Sequence, residues 1–80
     1  MIPTRRRRGQ VMKEFGFSSG CMDMLEAGLR RHSERYGTNA VIKSGRISLI
    51  DVEALYDWIK YRDALEIGVP VPEFRREEYQ

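Results

Sequence analysis

Apolar positions first recur at helical spacing near the start of the chain. Val11, Met12 and Phe15 fall on one side of a short helix predicted over residues 10–15. A longer helix is predicted over 19–35, with Ser18 or Ser19 as its N-cap and Gly37 just beyond its end. Its apolar face is formed by residues three and four apart, namely Cys21, Leu25, Gly28, Leu29, His32 and Tyr36.

The pattern then changes to one that favours β-structure. Residues 40–43 and 46–48 are short β-prone runs on either side of Ser44 and Gly45, which predicts a tight hairpin. A lone hairpin is marginally stable, so we expect it to pack on the helices.

A third helix is predicted over 49–66. Ser48 and Asp51 have the spacing of a capping box, and Gly68, Pro70 and Pro72 end the helix. We expect Val52, Leu55, Tyr56, Ile59 and Leu65 to face the core with Trp58 beside them. We expect the opposite face to carry Asp51, Glu53, Asp57, Lys60 and Asp63.

The order of elements defines a fold class. Two helices joined by a glycine-containing turn at 16–18 are typical of a helix-turn-helix, and the hairpin would be its wing. The prediction is a mainly α protein with a small β-hairpin (α+β): a winged helix-turn-helix of three helices and a two-stranded wing. This domain would span 9–68, between a basic N-terminal arm at 1–8 and an extended, proline-containing tail at 69–80.

Charge is divided unevenly along the chain. Residues 1–48 contain ten basic and four acidic side chains, whereas residues 49–80 contain four basic and eight acidic ones. This division predicts one side that faces an anion and one that faces water or a protein.

The basic segments allow two interpretations each. Arg5, Arg6, Arg7 and Arg8 repel one another and predict a mobile arm or a fraying helix start. This segment either seeks phosphates or only aids solubility. The hairpin tip, with Lys43, Ser44 and Arg46, is either a wing on a DNA backbone or an ordinary charged edge. In the tail, disorder is expected unless Phe74 and Tyr79 anchor it on a partner protein, for which Tyr61 is a further surface candidate.

Catalytic chemistry is not indicated. His32 lies on an apolar helix face, Cys21 has no second cysteine, and no Gly-rich phosphate loop follows a strand. We therefore predict no enzyme, no metal and no cofactor. No apolar run reaches the roughly 18 residues of a membrane span, and none follows the arginines as in a signal peptide. A cytoplasmic protein of a bacterial or phage-infected cell is the expectation.

Three segments, VMKEFGFS, LEAGLRRHSERYG and AVIKSGRISLIDVEALYDWI, resemble the excisionases of phages and integrative elements. The likeness covers residues 9–66 and is shared with AlpA-like and MerR-like regulators and small terminase subunits. It implies a second helix in the major groove and a wing on the adjacent minor groove or phosphates. It also implies cooperative binding of copies on DNA, DNA bending, and a tyrosine recombinase (integrase) as partner.

Carried onto this chain, the resemblance places Ser18, Ser19, Met22, Asp23, Glu26 and Arg30 toward the groove and Lys43 and Arg46 on the wing. Because acids face phosphates unfavourably, affinity would rest on the basic residues. The predicted DNA-binding set is Arg5, Arg6, Arg7, Arg8, Ser18, Ser19, Met22, Arg30, Arg31, Arg35, Lys43, Ser44 and Arg46.

Three functions remain open on the sequence. The first is an architectural DNA-binding protein of recombination that also represses a promoter. The second is a winged-helix module that binds a protein, as an adaptor or inhibitor from a mobile element, which the acids of the second helix and the aromatic tail favour. The third is an AlpA-like transcriptional regulator, which shares the physics of the first.

Overall fold

The computed structural model describes residues 2–80. They form an α+β fold in which four α-helices accompany a three-stranded antiparallel sheet. The helices are α1 (Arg8–Phe15), α2 (Ser19–Arg31), α3 (Ser33–Tyr36) and α4 (Val52–Ile67). The strands are β1 (Arg5–Arg7), β2 (Val41–Ser44) and β3 (Ile47–Asp51), and a 3-10 helix at Arg76–Tyr79 ends the chain.

The predicted turn between the first two helices is confirmed. Gly16 ends α1 with a left-handed φ of 71°, which glycine adopts without strain. Ser18 caps α2 because its hydroxyl accepts from the Cys21 N–H at 3.2 Å. The Ser18 side-chain oxygen is therefore engaged in capping the helix.

The second helix is shorter than predicted. Its backbone leaves the helical region at His32 (φ −106°, ψ 42°), and the separate turn α3 follows. The His32 ring packs on Trp58 with centroids 4.9 Å apart, and the redirected chain brings Arg35 and Tyr36 to Asp57 of α4. A contact between distant segments therefore overrides the local helical pattern.

The hairpin is present, but it belongs to a larger sheet. β2 and β3 pair from Val41 opposite Ile50 to Ser44 opposite Ile47, so the two-residue turn is Gly45 and Arg46 and not, as predicted, Ser44 and Gly45. Gly45 has a φ of +60°, as the first turn position of a type II′ hairpin requires. β1 pairs with the other edge of β3, so residues 5–7, which were expected in a mobile arm or a fraying helix start, form an ordered strand.

The predicted start of the last helix was wrong. Residues 48–51 belong to β3, whose residues pair with both neighbouring strands, and the helix begins at Val52. Asp51 is the N-cap itself rather than the third helical residue, since its Oδ1 accepts from the Ala54 N–H at 3.3 Å. Gly68 ends the helix as predicted.

The buried face of α4 also differs from the prediction. Val52, Leu55 and Trp58 are buried, but Tyr56 is 39% exposed and Ile59 46% exposed. Three acids predicted to face solvent are instead buried, since Asp51, Glu53 and Asp57 are each no more than 2% exposed. These carboxylates need positive or hydrogen-bonding partners in the interior.

The partners come mainly from the C-terminal tail, which was expected to be disordered. Arg76 binds Asp51 and Glu53, and the Tyr79 hydroxyl donates to Asp57 Oδ1 at 2.6 Å. Phe74 packs edge-on against Tyr36, with centroids 5.3 Å apart. The tail therefore folds back onto the core of its own chain.

The helices and the sheet pack around one hydrophobic core. The helices and the sheet contribute side chains that are at most 9% exposed, namely Val11, Met22, Leu25, Leu29, Tyr36, Ala40, Val41, Ile50, Ala54, Leu55 and Trp58. No helix among residues 2–80 has the length and apolar character needed to cross a membrane.

Candidate nucleic-acid interface

A cleft opens between the start of α1 and the tip of the hairpin. Its position follows from the sheet register, because Arg7 lies opposite Leu49 and the chain then enters α1 beside residues 47 and 48. The cleft has a volume of about 350 Å³ and is lined by Arg7, Arg8, Gly9, Gln10, Arg46, Ile47 and Ser48.

Two arginines of the cleft carry uncompensated charge. Arg7 and Arg46 are exposed, and neither forms an ion pair or side-chain hydrogen bond within residues 2–80. Lys43 and Ser44 are exposed on the neighbouring strand of the same hairpin. A guanidinium without a protein partner can offer its paired N–H groups to a phosphate.

The backbone adds to this positive potential. Arg7 is the N-cap of α1 but makes no side-chain capping bond, and the first turn of α1 contains no acid. The N-terminal amides of a helix carry a partial positive charge and favour anions. Ser48 Oγ, also at the cleft, has no hydrogen-bond partner among the described residues.

Arg8 links the cleft to the start of α2. Its Nη2 lies 2.7 Å from Asp23 Oδ1 and donates to the Ser19 carbonyl at 3.1 Å, while its Nε lies 3.2 Å from Glu26 Oε1. Glu26 is only 2% exposed, so this acid does not face a phosphate as the sequence implied. Arg8 is engaged internally and is not a free DNA contact.

The other predicted residues of α2 separate into two groups. Ser19 and Arg30 are exposed, and Arg30 has no ion pair within residues 2–80. Met22, by contrast, has no exposed surface and belongs to the core. Its assignment to the DNA groove was wrong, because the face of α2 that contains Met22 packs inward.

Several predicted arginines already have protein partners. Arg31 bridges to Glu66 at 2.5 Å, and Arg35 Nε donates to Asp57 Oδ2 at 2.8 Å. Arg6 pairs with Glu14, and Arg5 donates to the Asn39 carbonyl at 3.2 Å. Arg35, whose side chain is 12% exposed, is a structural residue and was wrongly assigned to DNA.

All three predicted protein-binding residues contact their own chain. Phe74 packs on Tyr36, and Tyr79 binds Asp57 and stacks on Tyr56 with centroids 6.4 Å apart. They are therefore not free anchors for another protein. Tyr61 is half-buried, and the Arg35 guanidinium carbon lies over its ring, 5.6 Å from the ring centroid.

The pKa values of two buried carboxylates, Asp57 and Glu53, are lowered. Burial favours the neutral form of Asp57, but hydrogen bonds from Arg35, Tyr79 and Tyr36 outweigh it, so the pKa of Asp57 lies below its ordinary value. Burial, reinforced by the bond to Asp57, raises the pKa of both tyrosine hydroxyls. Such perturbed groups often mark active sites, but here each has a structural partner.

The sequence did not identify Gly9 and Gln10, which line the cleft. One signal pointed to them: no capping residue precedes the first helix, since arginines occupy the positions where Ser, Thr, Asp or Asn is preferred. Within residues 2–80 no group of three or more His, Cys, Asp or Glu side chains is placed to hold a metal ion.

Comparisons with known proteins give no assignment. No protein-family model, no curated protein and no solved structure matches this chain.

Proposed function

We propose that this protein binds double-stranded DNA through the cleft between α1 and the hairpin. The observation that carries the proposal is the placement of two unpaired, exposed arginines, Arg7 and Arg46, around the uncapped start of α1. A phosphate suits this site because the lining of the cleft combines two guanidinium groups that are unpaired within residues 2–80 with the start of a helix that has no side-chain cap, and phosphate oxygens accept from both kinds of donor.

In this proposal the fold acts as a winged helix. The hairpin β2–β3 is the wing, and the exposed start of α2, which Arg8 joins to the cleft, enters the major groove. Ser19 is positioned for a base or phosphate contact there, and Arg30, Lys43 and Ser44 extend the contact along the backbone.

The biological role follows the resemblance to excisionases. We propose an architectural protein that binds adjacent sites, bends DNA and directs a tyrosine recombinase toward excision, and that also represses a promoter. An AlpA-like regulator would use the same contacts at a different site, so the location of the bound DNA separates the two roles.

The test is a salt titration of binding to random duplex and to DNA that flanks the gene of this protein. Logarithmic affinity should fall linearly with the logarithm of salt, by about 0.9 for each phosphate contacted. Stronger binding to the flanking DNA supports recombination or regulation, and equal binding to both supports an architectural role alone. Absence of binding to either at low salt overturns the proposal.

A matched pair of variants locates the site. The double variant Arg7→Ala, Arg46→Ala should weaken binding to all sequences and reduce the salt slope by about 1.8, the value for two lost phosphate contacts. The control Lys60→Ala, Arg62→Ala removes the same charge from the exposed side of α4. Equal losses in both variants would show that net charge, and not the cleft, determines affinity.

A second candidate function, binding of another protein, is favoured by a different surface. Tyr56, Ile59 and Ile67 are 39%, 46% and 76% exposed, and their spacing places them on one side of α4. Exposed Lys60 and Asp63 lie on the same side, so this face combines apolar and charged groups, as the contact surfaces of protein complexes do. If the protein fails to bind heparin and random duplex in about 0.15 M salt, this function is the one to pursue.

A further inference from the structure

The carboxylates of Asp51 and Glu53 connect the two ends of the chain. Arg76 Nη1 lies 2.6 Å from Asp51 Oδ1 and 2.9 Å from Glu53 Oε1, and its Nη2 donates to Asp51 Oδ2 at 3.0 Å. This is a two-pronged contact to one carboxylate with a further bond to the second. Such forked arginine contacts are strong and geometrically specific.

The same Glu53 oxygen holds the N-terminal segment. The Thr4 N–H donates to Glu53 Oε1 at 2.8 Å, and the Thr4 carbonyl accepts from the Val52 N–H at 2.8 Å. The Gln80 side chain adds bonds to the Ile2 carbonyl and to Glu53 Oε1. Thr4 immediately precedes β1, the strand that ends at Arg7 and the cleft.

Arg76 is the cation that pairs with the buried carboxylates of Asp51 and Glu53. The side chains of Asp51 and Glu53 are 2% and 3% exposed, and Arg76 forms the ion pairs recorded for both within residues 2–80. Burial favours the neutral form of Glu53, but the bonds from Thr4 and Arg76 outweigh it and keep its pKa below the ordinary value. Without Arg76, two nearby buried anions would lack a cation and would repel each other.

We propose that Arg76 is a positioning residue for the DNA-facing strand: the tail fixes Glu53, Glu53 fixes Thr4, and Thr4 sets the place of β1 and Arg7. For its effect on affinity this inference rests on the proposed DNA-binding function, since Arg76 does not line the cleft and acts on it through Glu53 and Thr4. The tail then controls affinity from outside the cleft, by keeping Arg7 in register with β3.

The first experiment compares Arg76→Ala with Arg75→Ala. Arg75 is the exposed neighbour and makes no ion pair within residues 2–80, so both variants lose one charge but Arg76→Ala alone loses the contact. Amide hydrogen exchange is read at Thr4 and Val52, with Leu25 and Leu29 in the core as internal references.

We expect exchange at Thr4 and Val52 to accelerate at least about tenfold more than at the core references in Arg76→Ala, and no such change in Arg75→Ala. DNA affinity should fall in Arg76→Ala by as much as in Arg7→Ala. Unchanged exchange at Thr4 and Val52 would overturn the proposal. An equal rise in exchange at every amide would also overturn it, because such a rise indicates only a general loss of stability.

A rescue variant separates positioning from stability. Combining Arg76→Met with Asp51→Asn and Glu53→Gln removes all three charges but keeps oxygen acceptors for the Ala54 and Thr4 amides. In this triple variant, which lacks Arg76, protection of the Thr4 amide should return, and DNA affinity should recover together with that protection. Failure to restore protection would contradict the role of the carboxylates. If the unaltered protein binds no DNA, the proposed function fails, while the exchange data still decide the coupling.

Discussion

Gly28 of α2 packs directly against the indole of Trp58 in α4. A Cβ at position 28 would lie 2.3 Å from Trp58 Cζ2 and 2.4 Å from Cε2, well inside van der Waals contact. This close approach lets the two helices bury Leu25, Leu29 and Leu55 beside them. The glycine is therefore required by the neighbouring ring and not by the backbone of its own helix.

Replacing Gly28 with alanine should lower the free energy of unfolding by about 2 kcal/mol, because overpacking a rigid ring outweighs the helix propensity gained. Gly20→Ala is the control, since Gly20 lies in the same helix and a Cβ there meets nothing within 4 Å. Urea unfolding measures both. Equal stability of the two variants would show that Trp58 shifts without cost.

Acid should destabilise the fold through Asp57 and Glu53. Their pKa values are lower in the folded protein than in the unfolded chain, so their contribution is present above pH of about 4 and is lost as pH falls further. Asp57→Asn should cost about 3 kcal/mol at pH 7, because Arg35 loses its buried counterion. The variant should also show a flatter dependence of unfolding free energy on pH between 5 and 2.

The Tyr79 hydroxyl should contribute stability that alkali removes. Tyr79→Phe keeps the aromatic contacts but loses the bond to Asp57, at a cost of about 1.5 kcal/mol. Because folding raises the pKa of Tyr79, its contribution is present below pH of about 10 and declines above it. Tyr61→Phe is the control, since the Tyr61 hydroxyl forms no hydrogen bond within residues 2–80. Equal unfolding curves for the two variants would refute this assignment.

The adjacent arginines Arg7 and Arg8 should affect different properties, DNA binding and stability respectively. Arg8→Ala should reduce stability by about 3 kcal/mol, because buried Glu26 loses its cation. Arg7→Ala should change stability by less than about 0.5 kcal/mol but weaken DNA binding, because Arg7 is exposed and unpaired within residues 2–80. Paired measurements of thermal unfolding and DNA affinity test this, and a loss of stability in Arg7→Ala would place Arg7 in the fold and not in the site.

Much of the local structure was predictable from the sequence. The turn after Phe15, the cap at Ser18, the hairpin around Gly45 and the end of α4 at Gly68 are all confirmed. Each depends on residues within a few positions of one another, through glycine conformation, side-chain capping or strand pairing across a two-residue turn.

The candidate site was predicted only in part. Arg7 and Arg46 were identified as basic residues, but their meeting in one cleft depends on the pairing of β1 with β3, whose partners are more than 40 positions apart in sequence. Repulsion among the four arginines predicted a mobile arm or a fraying helix start. Glu14, Asp23 and Glu26 supply the counterions for Arg6 and Arg8, and they do so only after α1 and α2 have packed.

The sequence by itself determined the turn after α1, the cap of α2, the hairpin and the end of α4, because turns, caps and two-residue strand connections act over short distances. The tertiary structure decided where α2 ends, where α4 begins and that residues 5–7 form a strand. Only the tertiary structure decided which face of α4 is buried. The chain changes from strand to helix at Asp51, and the repeat of inward-facing side chains changes there from about 2 residues to about 3.6. Neither repeat alone therefore identifies which residues around Asp51 face the core. The acids there are buried because Arg76 and Tyr79, more than 20 positions away in sequence, neutralise or bond them.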